Sequence, residues 1–149
     1  MFLRTFTLVV ALFTHPFGNS GQISEKSVTV RLLDSRNGKP MVANVVEIWV
    51  DKDRRHVITT HTGPNGIASA TIPDGTSEIS VYAQQDGWYL YRCDLTKDTS
   101  KPAPVYSLDQ IMKSGVAAAN RCGRRTAQTQ PGEITLFVRP QSLWEKMKI

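Results

Sequence analysis

Few side chains in this sequence could do chemistry. There are three histidines, His15, His56 and His61. His56 and His61 stand five positions apart, an odd spacing that sends two side chains of one strand to opposite faces. They do not converge on one metal ion, no H-x-H pattern supplies a substitute, and a solvated role at a strand end is expected. Cys93 and Cys122 lie outside any C-x-x-C, whereas zinc takes three or four ligands at short spacing. In an oxidising compartment such a pair makes one disulfide. Closing that loop, of about 30 residues, stabilises a fold by roughly 3–4 kcal/mol on the chain-entropy model. The serines have no nucleophile-elbow frame, and the disulfide consumes both thiols. These residues predict no catalytic set, no metal and no cofactor.

Two groups remain as candidate binding residues. Trp49 alternates with Glu47 along one strand, and Trp88 opens an aromatic run with Tyr89 and Tyr91. Rings on a solvent-facing side of a strand can stack against sugars, whereas those on the other side pack the core. Arg121, Arg124 and Arg125 flank Cys122. On a pinned loop they would suit an acidic or phosphate-bearing partner; on a solvated loop they only keep the surface charged.

These residues sit in a chain of 149 residues, long enough for one domain with a real core. A hydrophobic content of 40% and a charged content of 21% read as globular. The net charge of +5 and a pI near 9.4 would fit an anionic surface. The cations are scattered among carboxylates, however, and a nucleic-acid groove needs them clustered, so no nucleic-acid partner is expected.

The first residues read as an export signal. Arg4 supplies a positive start, Thr5–Phe13 is a mostly apolar stretch, and His15, Pro16 and Gly18 break it. The stretch is far shorter than the roughly 20 residues that span a bilayer. Small residues at Gly18 and Ser20 allow cleavage before Gly21. This predicts a signal peptide over 1–20, a single mature domain over 21–149 with about +4 net charge, and no transmembrane segment once the signal is removed. The expected location is secreted or periplasmic.

From Val28 onward the pattern is short, β-branched and period-two. Val28–Leu33 alternates, Asp34–Pro40 is a turn around Asn37-Gly38, and Val42–Val50 is apolar at both parities, as in a strand buried on both sides. His56–His61 follows a charged tip. Thr62–Gly66 turns into Ile67–Ile72, Pro73-Asp74-Gly75 into Glu78–Ala83, and Asp86-Gly87 into Trp88–Cys93. The rhythm then stops for an insertion of about 94–132. Inside it Ser107–Gly115 reads as a short helix, with Ser107 as N-cap, Gln110 at the capping-box spacing and Gly115 just past the end. Glu133–Arg139 is the last strand, and Ser142–Lys148 forms a terminal helical turn. The fold class is all-β: a seven-stranded sandwich with one short helix in an insertion before the last strand.

Several of these stretches carry a family likeness. Val28–Leu33 with Asp34, Gly38-Lys39-Pro40, Thr62-Gly63-Pro64-Asn65-Gly66-Ile67-Ala68, Ile72-Pro73-Asp74-Gly75 and Ile79–Ala83 resemble the carboxypeptidase regulatory-like, or prealbumin-like (transthyretin-like), β-sandwich domains. The likeness covers about Val28 to Tyr91 and rests on turns. The tail, through Cys122-Gly123, Pro131-Gly132-Glu133, Phe137-Val138-Arg139-Pro140 and Trp144-Glu145-Lys146, is similar to a family of small secreted bacterial proteins and brings no function with it.

What the likeness implies about enzymes is mostly negative. Intradiol dioxygenases on this type of sandwich bind iron through paired tyrosines and histidines, and the histidine pattern is missing here. Transthyretin-related hydroxyisourate hydrolases end in Tyr-Arg-Gly-Ser, where this chain has Val138-Arg139-Pro140-Gln141. Cna-type adhesins crosslink a first-strand lysine to a last-strand Asn or Asp; here Lys26 precedes the expected first strand, and Glu133–Arg139 contains neither partner. Related sandwiches include carbohydrate-binding modules, which implies polysaccharide binding. The expectation is a non-catalytic extracytoplasmic binding or assembly module with a protein or polysaccharide partner in the envelope. A carbohydrate-binding protein and a small enzyme are the alternatives. Any ligand is expected on the insertion between Cys93 and Cys122, unless that segment only covers a sheet edge.

Overall fold

The computed structural model describes residues 25–51, 53, 55–95 and 104–147; the expected signal peptide and its cleavage point lie outside the described residues. Strand β1 (Lys26–Asp34) follows the β-branched alternation and buries Val28, Val30 and Leu32. It starts two residues before Val28, so Lys26 belongs to the strand rather than preceding it. The turn after it is held by the Asp34 carboxylate, whose Oδ1 accepts from the amides of Arg36 (2.8 Å) and Asn37 (3.2 Å).

Strand β2 (Val45–Trp49) is shorter than the Val42–Val50 run expected. Ala43 adopts φ 57°, which a continuous strand cannot contain, and Asn44 is turned toward the Thr62 hydroxyl. Nor is β2 buried on both sides: Val46 and Ile48 enter the core while Val45, Glu47 and Trp49 form a half-buried outer row. Strands β3 (Val57–His61), β4 (Ile67–Ile72) and β5 (Glu78–Gln85) follow. At the corner between β3 and β4, Gly66 has φ 68°, and a Cβ there would meet the Leu32 carbonyl oxygen at 2.8 Å.

The stretch read as one strand, Trp88–Cys93, divides. Strand β6 (Trp88–Tyr89) pairs with β5, Leu90 turns into the core, and β7 (Tyr91–Arg92) pairs with the last strand β10 (Glu133–Arg139). The chain thus crosses from one sheet to the other between Tyr89 and Tyr91.

Inside the insertion, β8 (Tyr106–Ser107), α1 (Leu108–Ser114) and β9 (Val116–Ala117) make a second crossing. β8 pairs with Glu78 and Ile79 of β5, and β9 runs parallel to Ile134 and Thr135 of β10. Leu108 and Ile111 of α1 fill the core between them. Ser107 caps α1 by accepting from the Gln110 amide at 3.3 Å. The two short strands carry no periodicity, which is why only the helix was predictable.

The result is two five-stranded sheets around one core. One has the order β4-β1-β10-β7 with β9 also on β10; the other has β3-β2-β5-β6 with β8 also on β5. β1 and β10 are parallel, and the rest of both sheets is antiparallel apart from β9.

Cys93 and Cys122 form the expected disulfide, with Cα atoms 5.3 Å apart. Around it the Arg121 amide donates to the Cys93 carbonyl (2.8 Å) and Asn120 Nδ2 to the Ser35 carbonyl (2.9 Å). Gly123 lies so close to that same Ser35 oxygen that any Cβ would collide with it. The insertion is therefore stitched to the body at both sheets and at the β1 turn.

Helix α2 (Leu143–Lys146) closes the described chain, with a complete Ser142–Glu145 capping box. Its polarity is reversed. Glu145 and Lys146 turn toward the body, while Leu143, Trp144 and Met147 are exposed. Among the described residues no helix is long and apolar enough to cross a membrane.

Candidate functional site

The outer face of the second sheet is built by strand alternation. With Val46, Ile48, Val81 and Ala83 taken by the core, Glu47 and Trp49 of β2 and Ser80, Tyr82 and Gln84 of β5 must point the other way. Register then places Glu47 opposite Tyr82, Trp49 opposite Ser80, and Gln84 opposite Tyr89 of β6. The Glu47 carboxylate accepts from Gln84 Nε2 at 2.6 Å and from the Tyr89 hydroxyl at 3.1 Å. Tyr82 and Tyr89 meet edge to face, with ring centres 6.1 Å apart. Burial, then the Glu47 carboxylate, pushes the Tyr89 phenol up from its ordinary value, so it stays a neutral donor.

The crossing from β6 to β7 walls this face on one side and leaves a cleft of about 300 Å³. Four rings line it, Trp49, Tyr82, Tyr89 and Tyr91, with Leu90, Leu95 and Gln141 completing the wall and Arg92 below. Among the described residues nothing donates to the buried Gln141 Oε1.

Arg92 is the largest fully buried side chain, at 2% exposure. Its Nε and Nη2 donate to the two oxygens of Asp94 (3.1 and 2.7 Å), Nη1 to the Val81 carbonyl (2.7 Å) and Nη2 also to the Tyr106 hydroxyl (2.6 Å). Tyr106 donates in turn to Asp94 Oδ2. Burial opposes the Arg92 charge, but the Asp94 contacts outweigh it and the guanidinium pKa is raised; burial likewise pushes the Tyr106 phenol up. The cluster joins β5, β7 and β8 and is electrically balanced. The floor of the cleft therefore carries no uncompensated cation, and the cleft is chemically suited to a neutral ligand with apolar faces and hydroxyls.

A second groove, of about 190 Å³, adjoins the first and shares Tyr89, Leu90 and Gln141 with it. Trp88, Pro140, Asp86 and Lys146 add to its wall. Lys146 Nζ stands 4.8 Å from the centre of the Trp88 ring. Arg139 fixes this wall: it lies 4.1 Å from the Tyr91 ring centre and donates from Nη1 (2.8 Å) and Nη2 (2.6 Å) to Glu145 of α2.

The predicted binding residues thus separate. Trp49 lines the first groove and Trp88 the second. Arg121, Arg124 and Arg125 are exposed on the disulfide loop and line neither. His61 is exposed at the end of β3, and exposed His56 holds Asp51 Oδ2 through Nδ1 at 2.7 Å on the β2–β3 tip, away from both linings. Sequence reasoning missed Tyr82 and Gln141. Tyr82 sits at the outward parity of β5, a signal that was present; Gln141 lies beyond Pro140, where no periodicity exists to read. No protein-family model matches this chain, and no curated protein matches it.

Proposed function

We propose that the chain is a non-catalytic extracytoplasmic binding module on a prealbumin-like sandwich, and that it binds saccharide on the outer face of the second sheet. The observation that carries this is the grouping of Trp49, Tyr82, Tyr89 and Tyr91 around one cleft. Sugar rings offer patches of C–H that stack on aromatic faces, and their hydroxyls need nearby acceptors and donors. Gln141 on the wall supplies these, and Glu47 and Gln84 stand beside the cleft as neighbours of Tyr89. The neutral floor suits an uncharged sugar better than a phosphate. A disulfide belongs to oxidising compartments, which supports a secreted or periplasmic location together with the signal-like N-terminus.

The insertion, stitched into both sheets, serves in this reading to cover their edges rather than to hold ligand. A glycan array followed by calorimetry on the mature chain tests the assignment. Trp49→Ala and Tyr82→Ala should each weaken saccharide binding by about fivefold or more, since stacking is worth about 1 kcal/mol or more per ring. The triple change Arg121→Ala, Arg124→Ala, Arg125→Ala should leave it intact. Binding lost in the arginine variant and kept in the aromatic ones would return the ligand to the insertion.

A further inference from the structure

We infer that the second groove is a subsite for an acidic sugar unit of the same chain that occupies the first. The inference rests on the saccharide reading above and deepens it. Three residues, Tyr89, Leu90 and Gln141, line both grooves, so they are continuous and a ligand of two or more units can run from one into the other. The walls change character along that path. The first groove is aromatic, and its buried arginine is balanced by Asp94. The second is smaller and has a lysine at its side.

Lys146 differs from the arginines nearby. Arg92 is paired with Asp94 and Arg139 with Glu145, whereas among the described residues no carboxylate lies within ion-pair reach of Lys146. Its ammonium is held over Trp88 instead, which positions it without a carboxylate partner among the described residues. Asp86 is the other charge on the groove. It is exposed on the β5–β6 turn, where water screens it, while Lys146 is half-buried against the wall. The more desolvated charge governs what the groove accepts. A carboxylate on a sugar ring answers both features: the ring passes Pro140 and Trp88 as its acid group reaches Lys146. Gln141 lines both grooves, so its side-chain amide can meet a hydroxyl of the unit that bridges them.

The test uses the mature chain on an array of matched trisaccharide pairs: galactose and galacturonate, mannose and mannuronate, glucose and glucuronate. At least one uronate member should bind about fivefold tighter than its neutral partner, the scale of one partly screened ion pair. That preference should fall with added salt and disappear in Lys146→Gln, while Lys146→Gln keeps the affinity for the neutral partner. Equal binding of both members, or a preference that survives Lys146→Gln, overturns the acidic subsite and leaves the saccharide reading standing. Binding of no member of any pair overturns both. Circular dichroism melting of Lys146→Gln within a degree or two of the parent confirms that a lost preference is not lost structure.

Discussion

The Tyr89 hydroxyl donates to Glu47 Oε2 at 3.1 Å and so ties a two-residue edge strand to β2 across the whole width of β5. The bond organises the outer face, because Glu47 also holds Gln84 and Tyr89 meets Tyr82. Tyr89→Phe removes the hydroxyl and leaves the ring. Tyr89 is 45% exposed, so water can replace the lost donor, and stability should change by only about 0.5–1 kcal/mol. Saccharide affinity should nevertheless fall about fivefold, because the carboxylate is no longer positioned. Calorimetry and urea unfolding measured on the same sample separate the two effects. Unfolding that moves by several kcal/mol would make the bond a structural one.

Arg92 carries the opposite expectation. It and Asp94 are both buried, at 2% and 8% side-chain exposure, and Arg92→Met would leave the carboxylate without its counter-ion, held by the Tyr106 hydroxyl alone, and the Val81 carbonyl and the Tyr106 oxygen without the guanidinium donor. Removing one partner of a buried pair costs about 3–5 kcal/mol. The double change Arg92→Met with Asp94→Leu should recover part of that loss, since no charge then remains buried. Urea midpoints of the two variants decide it; a double variant no better than the single would mean that the cluster acts through geometry rather than charge.

Most strands were legible because apolar and polar residues alternate along them, even though β10 is buried at both parities and β3 has no buried residue. Ile67–Ile72 matches residue for residue, and β1 and β5 differ only at their ends. Legibility failed where tertiary pairing, not periodicity, makes the strand. β8 and β9 are two residues each and exist because β5 and β10 offer them an edge. Trp88–Cys93 reads as one strand because its residues are uniformly β-prone; no local signal marks the change of sheet at Leu90. Of the candidate site, the two tryptophans were visible as types. Their separation into two adjoining grooves depends on Gln141 and Lys146, which a terminal helix folds back to meet them.

The disulfide closes the insertion against β7, where Cys93 also donates its amide to the Phe137 carbonyl at 2.9 Å. Replacing both cysteines by Ala should lower stability by about 3 kcal/mol on the loop-entropy model. α1 should remain helical, since Leu108 and Ile111 stay in the core. Hydrogen exchange should therefore show faster opening of Arg121–Arg125 but not of Leu108–Ser114. Equal loss of protection in both would show that the insertion folds as one unit with the bridge.

Acid should loosen the wall of the second groove before it unfolds the core. Two hydrogen bonds from Arg139 hold the Glu145 carboxyl at about 2, well below its ordinary 4.5. A lowered folded-state value means that the pair's contribution is complete above the unfolded value and is lost as pH falls through the folded one. The window therefore runs from about pH 4.5 down to about 2. Glu133 titrates in the same direction because Arg31 donates to it, so the β1–β10 seam weakens with it at low pH. The Glu145 side chain is 31% exposed, and solvent screening limits its contribution to about 1 kcal/mol. Arg139→Met should raise Glu145 toward its ordinary value, the Ser142 cap still holding it somewhat below, flatten much of the stability profile across that window, and release Lys146 from Trp88 at neutral pH. Carboxyl-detected NMR titration reads the first effect and tryptophan fluorescence the last. A parent Glu145 that titrates near 4.5 would show that α2 is not held by Arg139, and the second groove would lose its fixed wall.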